Sequence, residues 1–257
     1  MKYTYEQLAK MIDHSLLHPT MTDQELEDGC RLAAKYGVAS VCIKPYAVKR
    51  AAELLRGTGV NLGCVIGFPH GSSCTDSKRY ETELACRDGA VEIDMVVNIG
   101  KALGGDFEFV ERDVKAVCDE AHRHGARVKV IFENDFMPND EIKVKLCQTC
   151  ERAGADWVKT STGYGFVKQA DGHYNYRGAT EHDLALMRAN VSAKVQVKAA
   201  GGVRDLDGLI KVRDLGVSRC GATATAAMLD EYRRREAAEK AGQTVEGKAG
   251  GIGAGGY

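Results

Sequence analysis

The chain has 257 residues, of which 44% are apolar and 28% charged, values typical of one sizeable globular α/β domain. Its 35 basic and 36 acidic residues give a formal net charge of -1, which argues against a nucleic-acid-binding or membrane-surface protein. No apolar run is long enough to span a bilayer, and the first residues lack the apolar core of a signal peptide.

The cysteines indicate a reducing compartment. There are nine of them, an odd number, and several lie within apolar patterns, as Cys42, Cys64 and Cys118 do. We therefore expect reduced, buried thiols and a cytoplasmic location. Cys147 and Cys150 form a CxxC on a predicted helix, but no second pair of metal ligands accompanies them. We interpret them as two small core residues rather than as a redox or metal site.

Short β-like runs alternate with amphipathic helical stretches along the whole chain. The predicted strands lie near residues 11–17 and at 38–44, 61–68, 90–98, 126–133, 155–161, 193–200 and 217–223. Such βαβ repetition produces parallel strands with right-handed crossovers. Eight units at this length favour a closed (β/α)8 TIM barrel with a short N-terminal helix. An open doubly wound sheet is less favoured, since no glycine-rich dinucleotide fingerprint follows the first strand.

The sequence predicts one catalytic domain followed by a tail. Residues 1–235 carry the barrel pattern without an internal linker. Residues 236–257 are rich in glycine and alanine and hold few groups that could pack, so we expect a flexible C-terminal tail.

Several predicted strands alternate polar and apolar residues, although parallel strands covered by helices usually read as continuous apolar runs. If the apolar face of each strand meets the helices, the polar face points into the barrel. This places five charged residues from four different strands in or near one confined space: Asp94, Lys129, Glu133, Lys159 and Lys198. The alternative is that these strands are sheet edges with a solvated polar face. Four such strands in one parallel sheet make the barrel interior the better interpretation, and in barrels the chemistry lies near the carboxyl ends of the strands.

Six segments, in order and at similar spacing, resemble the deoxyribose-phosphate aldolase family. They are IDHSLL (12–17), VCIKP (41–45), VIGFPHG (65–71), EIDMVVNIG (92–100), VKTSTG (158–163) and VKAAGGVR (197–204). The resemblance runs from about residue 10 to about residue 235. It implies a (β/α)8 barrel and a class I aldolase that reversibly cleaves 2-deoxyribose 5-phosphate to acetaldehyde and glyceraldehyde 3-phosphate.

The resemblance also implies roles for three residues: Lys159 as the Schiff-base lysine, Lys198 as the second lysine of the site, and Asp94 as the acid/base carboxylate. The chemistry is consistent with these roles, because an amine attacks a carbonyl only when neutral, and burial beside another cation lowers a lysine pKa. A structural ion pair is the alternative for either lysine. The residues expected to support this polar network are Asp13, Cys42, Lys129 and Glu133.

A phosphate group requires backbone N–H groups from turns and helix N-termini, typically after the seventh and eighth strands of a barrel. The alternative is that the glycines there only form tight turns. Two positions depart from the family pattern: Ala224 replaces the second of two serines, and Tyr164 stands where lysine is frequent. The candidate phosphate-binding residues are Gly163, Gly201, Gly202, Val203, Arg204, Gly221 and Thr223.

The chain ends in GGIGAGGY, and some members of the family end in a similar tail with a terminal tyrosine. We expect Tyr257 to fold over the site and to help transfer the proton at the enamine carbon; a terminus without a role is the alternative. We expect no cofactor and no metal. His14 and His18 are four residues apart, but Pro19 follows and no carboxylate trio is evident.

The expected partners are a sugar phosphate and aldehydes, with no nucleic acid or membrane. Two other functions stay open at this point. One is a related Schiff-base aldolase acting on a different sugar, with or without phosphate. The other is a non-catalytic sugar-phosphate-binding protein, although binding alone would not need two buried lysines. The oligomeric state is not determined by the sequence, and a homodimer is compatible with it.

Overall fold

A computed structural model describes residues 1–243 and residue 252. Eight parallel strands close into a barrel, and a two-stranded antiparallel hairpin follows the sixth of them. In chain order the strands are β1 (Ile12–Leu16), β2 (Ser40–Ile43), β3 (Asn61–Ile66), β4 (Glu92–Val96), β5 (Arg127–Ile131), β6 (Trp157–Lys159), the hairpin strands β7 (Val167–Lys168) and β8 (Tyr174–Asn175), β9 (Gln196–Ala200) and β10 (Arg219–Ala222).

The barrel order is β1-β10-β9-β6-β5-β4-β3-β2, so β1 pairs with both β2 and β10 and closes the sheet. This confirms the predicted (β/α)8 architecture, and closure rules out solvated sheet edges along these strands. The short N-terminal helix is also present. The helices are α1 (Tyr5–Ala9), α2 (Asp23–Tyr36), α3 (Val48–Leu55), α4 (Thr75–Arg87), α5 (Ile99–Leu103), α6 (Phe107–Arg123), α7 (Asp140–Arg152), α8 (Glu181–Ala189), α9 (Leu206–Asp214) and α10 (Thr225–Lys240).

The hydrophobic core lies between the barrel strands and the surrounding helices. Alternate strand residues such as Ile93, Val128 and Val197 face outward and are fully buried against helices. Their neighbours point into the barrel, since successive side chains of a strand face opposite ways. Consequently the polar residues of β4, β5, β6 and β9 converge in the interior.

The final helix extends past the predicted start of the tail. α10 continues to Lys240, beyond the predicted domain end at Arg235. The segment after Arg235 contains Ala, Glu and Lys, which favour helix, and a Lys240–Glu236 pair at 3.0 Å supports the last turn. Tyr257, for which we predicted a role in proton transfer at the enamine carbon, lies outside the described residues. Within the described part of the chain, no helix is both long and apolar enough to cross a membrane.

Candidate active site

Seven charged side chains meet inside the barrel, and we call them the central cluster. Each side chain is at most 10% exposed. Three members are carboxylates and four are cations among the described residues. They are Asp13 (β1), Glu92 and Asp94 (β4), Lys129 (β5), Lys159 (β6), Lys198 (β9) and Arg219 (β10).

Asp94 is the point at which the lysines converge. Its Oδ2 lies 2.7 Å from the Nζ of Lys159 and 2.7 Å from the Nζ of Lys198, and its Oδ1 lies 3.0 Å from the Nζ of Lys129. Strand register explains this, because Lys159 pairs with Lys198 across β6 and β9, and Asp94 pairs with Lys129 across β4 and β5. The structure therefore brings together the three residues predicted to perform the chemistry.

The remaining members of the central cluster form ion pairs with Lys129, with Lys198 and with one another. Asp13 Oδ2 lies 2.6 Å from Lys198 Nζ and 3.0 Å from Lys129 Nζ. Arg219 contacts Asp13 and also lies 2.8 Å from Glu92 Oε1. Lys198 thus has two carboxylate partners, whereas Lys159 contacts Asp94 alone within the central cluster. This difference separates the two lysines chemically.

Lys159 differs from the other cations of the cluster in the direction of its pKa shift. Burial lowers the pKa of Lys159, and repulsion from Lys198 adds to this effect against the attraction of Asp94. For Lys129 and Lys198, burial alone would lower the pKa, but the carboxylates around them raise it above its ordinary value. Arg219 follows the same pattern as these two lysines.

Charge balance explains why one amine can be neutral. With all four cations protonated, they outnumber the three carboxylates of the cluster. Burial alone would raise the pKa of Asp94, but its three lysine partners hold that pKa well below its usual range, so the carboxylate stays ionised. Since an unbalanced buried charge is costly, loss of one proton from Lys159 leaves the cluster electrically neutral. A neutral amine is the nucleophilic form.

A buried glutamate holds the segment that follows Lys159. Glu133 has a positive φ of 59° and accepts hydrogen bonds from the backbone N–H of Thr162, at 3.2 Å, and from the Thr162 hydroxyl. The Tyr164 N–H in turn donates to Thr162 Oγ1 at 2.9 Å. Burial raises the pKa of Glu133 to about 7. A non-glycine residue in the left-handed region is strained, and this one positions the loop that carries Gly163.

A cavity of about 340 Å³ opens above Lys159 at the carboxyl ends of the strands. Lys159 and Arg204 are the charged side chains that line it within the described residues. Asp94 and Lys198 lie beneath the cavity and do not line it. Asp94 contacts Lys159, and Lys198 contacts Asp94. All of the candidate phosphate-binding residues line this cavity, namely Gly163, Gly201, Gly202, Val203, Arg204, Gly221 and Thr223.

The N-terminus of α10 faces the same cavity. The N-cap residue of this helix, Ala224, lines the cavity and provides no side-chain cap, so the first-turn N–H groups are available to an anion. The neighbouring α9 differs, because Asp205 accepts the Gly208 N–H at 2.7 Å and brings negative charge to that helix start. The end of the cavity formed by the start of α10 and the turn after β9 is therefore the end best suited to an anion, and we call it the anion-binding end.

The supporting residues lie where the polar network was expected. Cys42 is fully buried in the barrel interior, and burial raises its pKa to about 11, so the thiol stays protonated. His14 contacts Thr225 at the start of α10, with 2.9 Å between Nδ1 and Oγ1, and burial lowers its pKa to about 4. A neutral imidazole therefore stands beneath the anion-binding end.

A group that could hold a metal ion lies elsewhere in the described structure. Asp140, His182 and Asp183 present ligand atoms close to one another. The Lys143 ammonium contacts Asp183 Oδ1 at 2.5 Å and Asp140 Oδ1 at 3.4 Å, so a fixed positive charge already occupies this group. None of these residues lines the cavity above Lys159.

Three further side chains of this region were not predicted from the sequence. Glu92 shares a face of β4 with Asp94 but was not predicted for the site, and Arg219 was overlooked although it alternates with Cys220 on the last barrel strand. Tyr176, which lines the cavity, was also overlooked. Its hairpin carries a recognisable signal, since Asp171 and Gly172 separate two short polar-apolar runs.

Comparison with known proteins agrees with the geometry. The model of a family described as DeoC/LacD family aldolases matches residues 7–229. A deoxyribose-phosphate aldolase from Rhodopirellula baltica is 50% identical over 91% of this chain and 92% of its own length. One from Aciduliprofundum boonei is 42% identical over 87% and 96%, respectively. The tetrameric deoxyribose phosphate aldolase structure from Aeropyrum pernix superposes with a TM-score of 0.80 at 28% identity, over 90% of this chain and 92% of that one.

Proposed function

This chain belongs to the DeoC/LacD family of aldolases, and we propose that it cleaves 2-deoxyribose 5-phosphate reversibly to acetaldehyde and glyceraldehyde 3-phosphate. The proposal assigns Lys159 as the residue that forms the Schiff base. One observation carries this assignment: Lys159 is the cavity-lining cation of the central cluster, and burial lowers its pKa. The family membership makes the chain a lyase and excludes a purely sugar-binding role.

The reaction begins when the neutral Lys159 amine attacks the aldehyde carbon of the open-chain sugar. Loss of water from the carbinolamine leaves a protonated imine, which draws electrons from the adjacent carbon–carbon bond. Removal of the proton from the C3 hydroxyl lets the C2–C3 bond break, releasing glyceraldehyde 3-phosphate and leaving an enamine on Lys159. Protonation of the enamine at C2, followed by hydrolysis, releases acetaldehyde and restores the amine.

We assign the proton transfers at the carbinolamine and the C3 hydroxyl to Asp94, assisted by Lys198. Both side chains are buried, and Asp94 Oδ2 contacts the Nζ atoms of both Lys198 and Lys159. Because they lie beneath the cavity, a water molecule would connect them to the substrate oxygen. Lys198 also keeps a positive charge next to Lys159, and this charge favours the neutral form of the Lys159 amine. Tyr257, which lies outside the described residues, is proposed as the donor to the enamine carbon.

The 5-phosphate is assigned to the far end of the cavity. The turn after β9 and the uncapped start of α10 offer backbone N–H groups there, and Arg204 offers a cation. Thr223 adds a hydroxyl to the same wall.

A second candidate is a Schiff-base aldolase acting on a different sugar or an unphosphorylated one. It is favoured by Ala224, which lacks the hydroxyl of the serine frequent in the family, and by Tyr164, which lacks the positive charge of the lysine frequent there. The comparison of 2-deoxyribose with and without its 5-phosphate distinguishes the two. A strong preference for the phosphorylated sugar supports the first proposal, and equal rates support the second.

The activity test is the release of acetaldehyde from 2-deoxyribose 5-phosphate by the full chain. Lys159→Met should abolish it, since no other group supplies the imine. Lys49→Met is the matched control, because Lys49 is an exposed lysine on α3. Wild-type turnover of neither sugar would contradict the proposal, as would full activity of Lys159→Met.

We further propose a cytosolic location, supported by nine cysteines that are all free. The homodimer stays a prediction, which sedimentation analysis of the full chain would test.

A further inference from the structure

The β7–β8 hairpin places a buried tyrosine at the anion-binding end of the cavity. Tyr176 directly follows β8, is 6% exposed and lines the cavity together with Lys159 and Arg204. Its ring makes an edge contact with Phe166 at 5.4 Å between centroids. The hairpin therefore places a buried aromatic side chain where it can contact a ligand bound in the cavity.

The strand end beneath Tyr176 fixes its position. Asp135, which follows β5, accepts hydrogen bonds from the backbone N–H groups of Arg177 at 2.5 Å and Gly178 at 3.0 Å. Gly178, at a φ of +72°, lies so close to Gly201 that an added Cβ would come within 2.7 Å of its backbone carbonyl carbon. The hairpin end is therefore clamped onto the turn after β9, where the anion-binding N–H groups lie.

Tyr176 itself is joined to this turn at two points. Its Cε2 atom lies 3.2 Å from where a Cβ would project from Gly201, so the ring covers the turn. The positive charge of Arg204 lowers the pKa of Tyr176 against the larger effect of burial, which places the two side chains near each other. Burial raises the pKa of Tyr176, so the phenol keeps its proton and is a neutral hydrogen-bond donor.

Few other hydroxyls are available at this wall. The Thr162 hydroxyl donates to Glu133 and is committed there. Ala224 supplies none, which leaves Ser15 and Thr223 among the described residues that line the cavity. An anion bound between α10 and the turn after β9 would thus gain a neutral donor from Tyr176 and a charged donor from Arg204.

We propose that Tyr176 and Arg204 form a phosphate-binding pair, and that the hairpin makes the enzyme selective for phosphorylated over unphosphorylated sugars. This inference rests on the proposed function and specifies how the substrate is chosen. It assigns Tyr176 to binding of the phosphate and gives it no part in the chemistry at Lys159.

The test compares Tyr176→Phe with the matched control Tyr174→Phe in the full chain, since Tyr174 lies on the same hairpin but is 65% exposed. Kinetics are measured with 2-deoxyribose 5-phosphate and with 2-deoxyribose, and inorganic phosphate is titrated in parallel by phosphorus NMR. Tyr176→Phe should raise the KM for the phosphorylated sugar and the Kd for inorganic phosphate by at least about tenfold, as expected for one hydrogen bond to a charged group. Its kcat, and its kcat/KM for 2-deoxyribose, should match those of Tyr174→Phe.

The inference is overturned if Tyr176→Phe behaves as Tyr174→Phe does in both measurements. It is also overturned if both sugars lose kcat alike, since that is the effect of a loosened hairpin on the Lys159 segment rather than of a lost phosphate contact. Failure of the wild type to cleave either sugar would refute the proposed function instead. The phosphate titration would still decide whether Tyr176 binds an anion, because it does not depend on turnover.

Discussion

Replacing Lys198 by glutamine tests how the barrel interior keeps Lys159 neutral. In the central cluster, Lys198 is the cation that shares Asp94 Oδ2 with Lys159. Its removal leaves three cations facing three carboxylates, so charge balance is restored only if Lys159 keeps its proton. Asp13 and Asp94 each retain another cationic partner in Lys129. We therefore expect Lys198→Gln to fold and to raise the pKa of Lys159.

The size of the effect follows from the shared oxygen. The two Nζ atoms are at most about 5.4 Å apart, twice the 2.7 Å that separates each from Asp94 Oδ2. At an effective dielectric constant of about 20, two charges at that distance repel by about 3 kcal/mol, or about 2 pKa units. At pH 7 the fraction of neutral Lys159 should fall roughly a hundredfold, and raising the pH by about two units should restore it.

The assay is the pH dependence of adduct formation between Lys159 and acetaldehyde, trapped with borohydride and quantified by intact-protein mass spectrometry. Lys198→Gln should show the wild-type curve displaced to higher pH by about two units. Lys198→Arg preserves the charge and should keep the wild-type midpoint. Thermal melting of each variant, followed by circular dichroism, verifies that the fold is intact.

A folded Lys198→Gln enzyme whose curve has an unchanged midpoint and only a lower plateau would show that Lys198 does not lower the pKa of Lys159. That result would limit Lys198 to proton transfer, because loss of a relay slows the reaction at every pH without changing the pKa of the amine. A displacement that Lys198→Arg shares would also contradict the electrostatic account.

Three further predictions concern the surroundings of the site. Burial raises the pKa of Glu133 from 4.5 to about 7, so the folded protein binds more protons than the unfolded chain between these values and stability should fall as pH rises through them, by up to about 3 kcal/mol; chemical denaturation of Glu133→Gln should lack that slope, and an unchanged slope would disprove it. Gly178→Ala should cost about 2–3 kcal/mol, because φ is +72° and the Cβ would meet the Gly201 backbone; a denaturation midpoint equal to that of wild type would contradict this packing. Deleting Tyr257 should slow proton exchange into acetaldehyde while leaving adduct formation on Lys159 intact, and wild-type exchange would exclude its role.

The barrel and its interior charges were predictable because both depend on local alternation. Side chains at every second position of a strand share a face, so the sequence around Asp94, Lys129, Lys159 and Lys198 already placed them on one surface. Closure of the sheet then follows from the repeat number. The carboxyl ends of parallel strands meet at one edge, which is why the glycine-rich segments also came together.

Long-range contacts were not predictable in the same way. The pairing of Arg219 with Asp13 joins residues at opposite ends of the chain, and it exists only because β10 closes on β1. The contact of Tyr176 with the turn at Gly201 depends on where a hairpin folds back, which no periodicity in the sequence specifies. The predicted domain end at Arg235 falls within α10, because the glycine and alanine of the following residues obscured a helical turn that includes the Lys240–Glu236 pair.

The most direct test of the central assignment is borohydride reduction of the wild-type protein in the presence of acetaldehyde, followed by peptide mass mapping. We expect a reduced two-carbon adduct on the peptide that contains Lys159, and none on that peptide in Lys159→Met. A folded wild-type protein that forms no adduct, or forms it on Lys198 instead, would contradict the assignment of Lys159 as the Schiff-base residue.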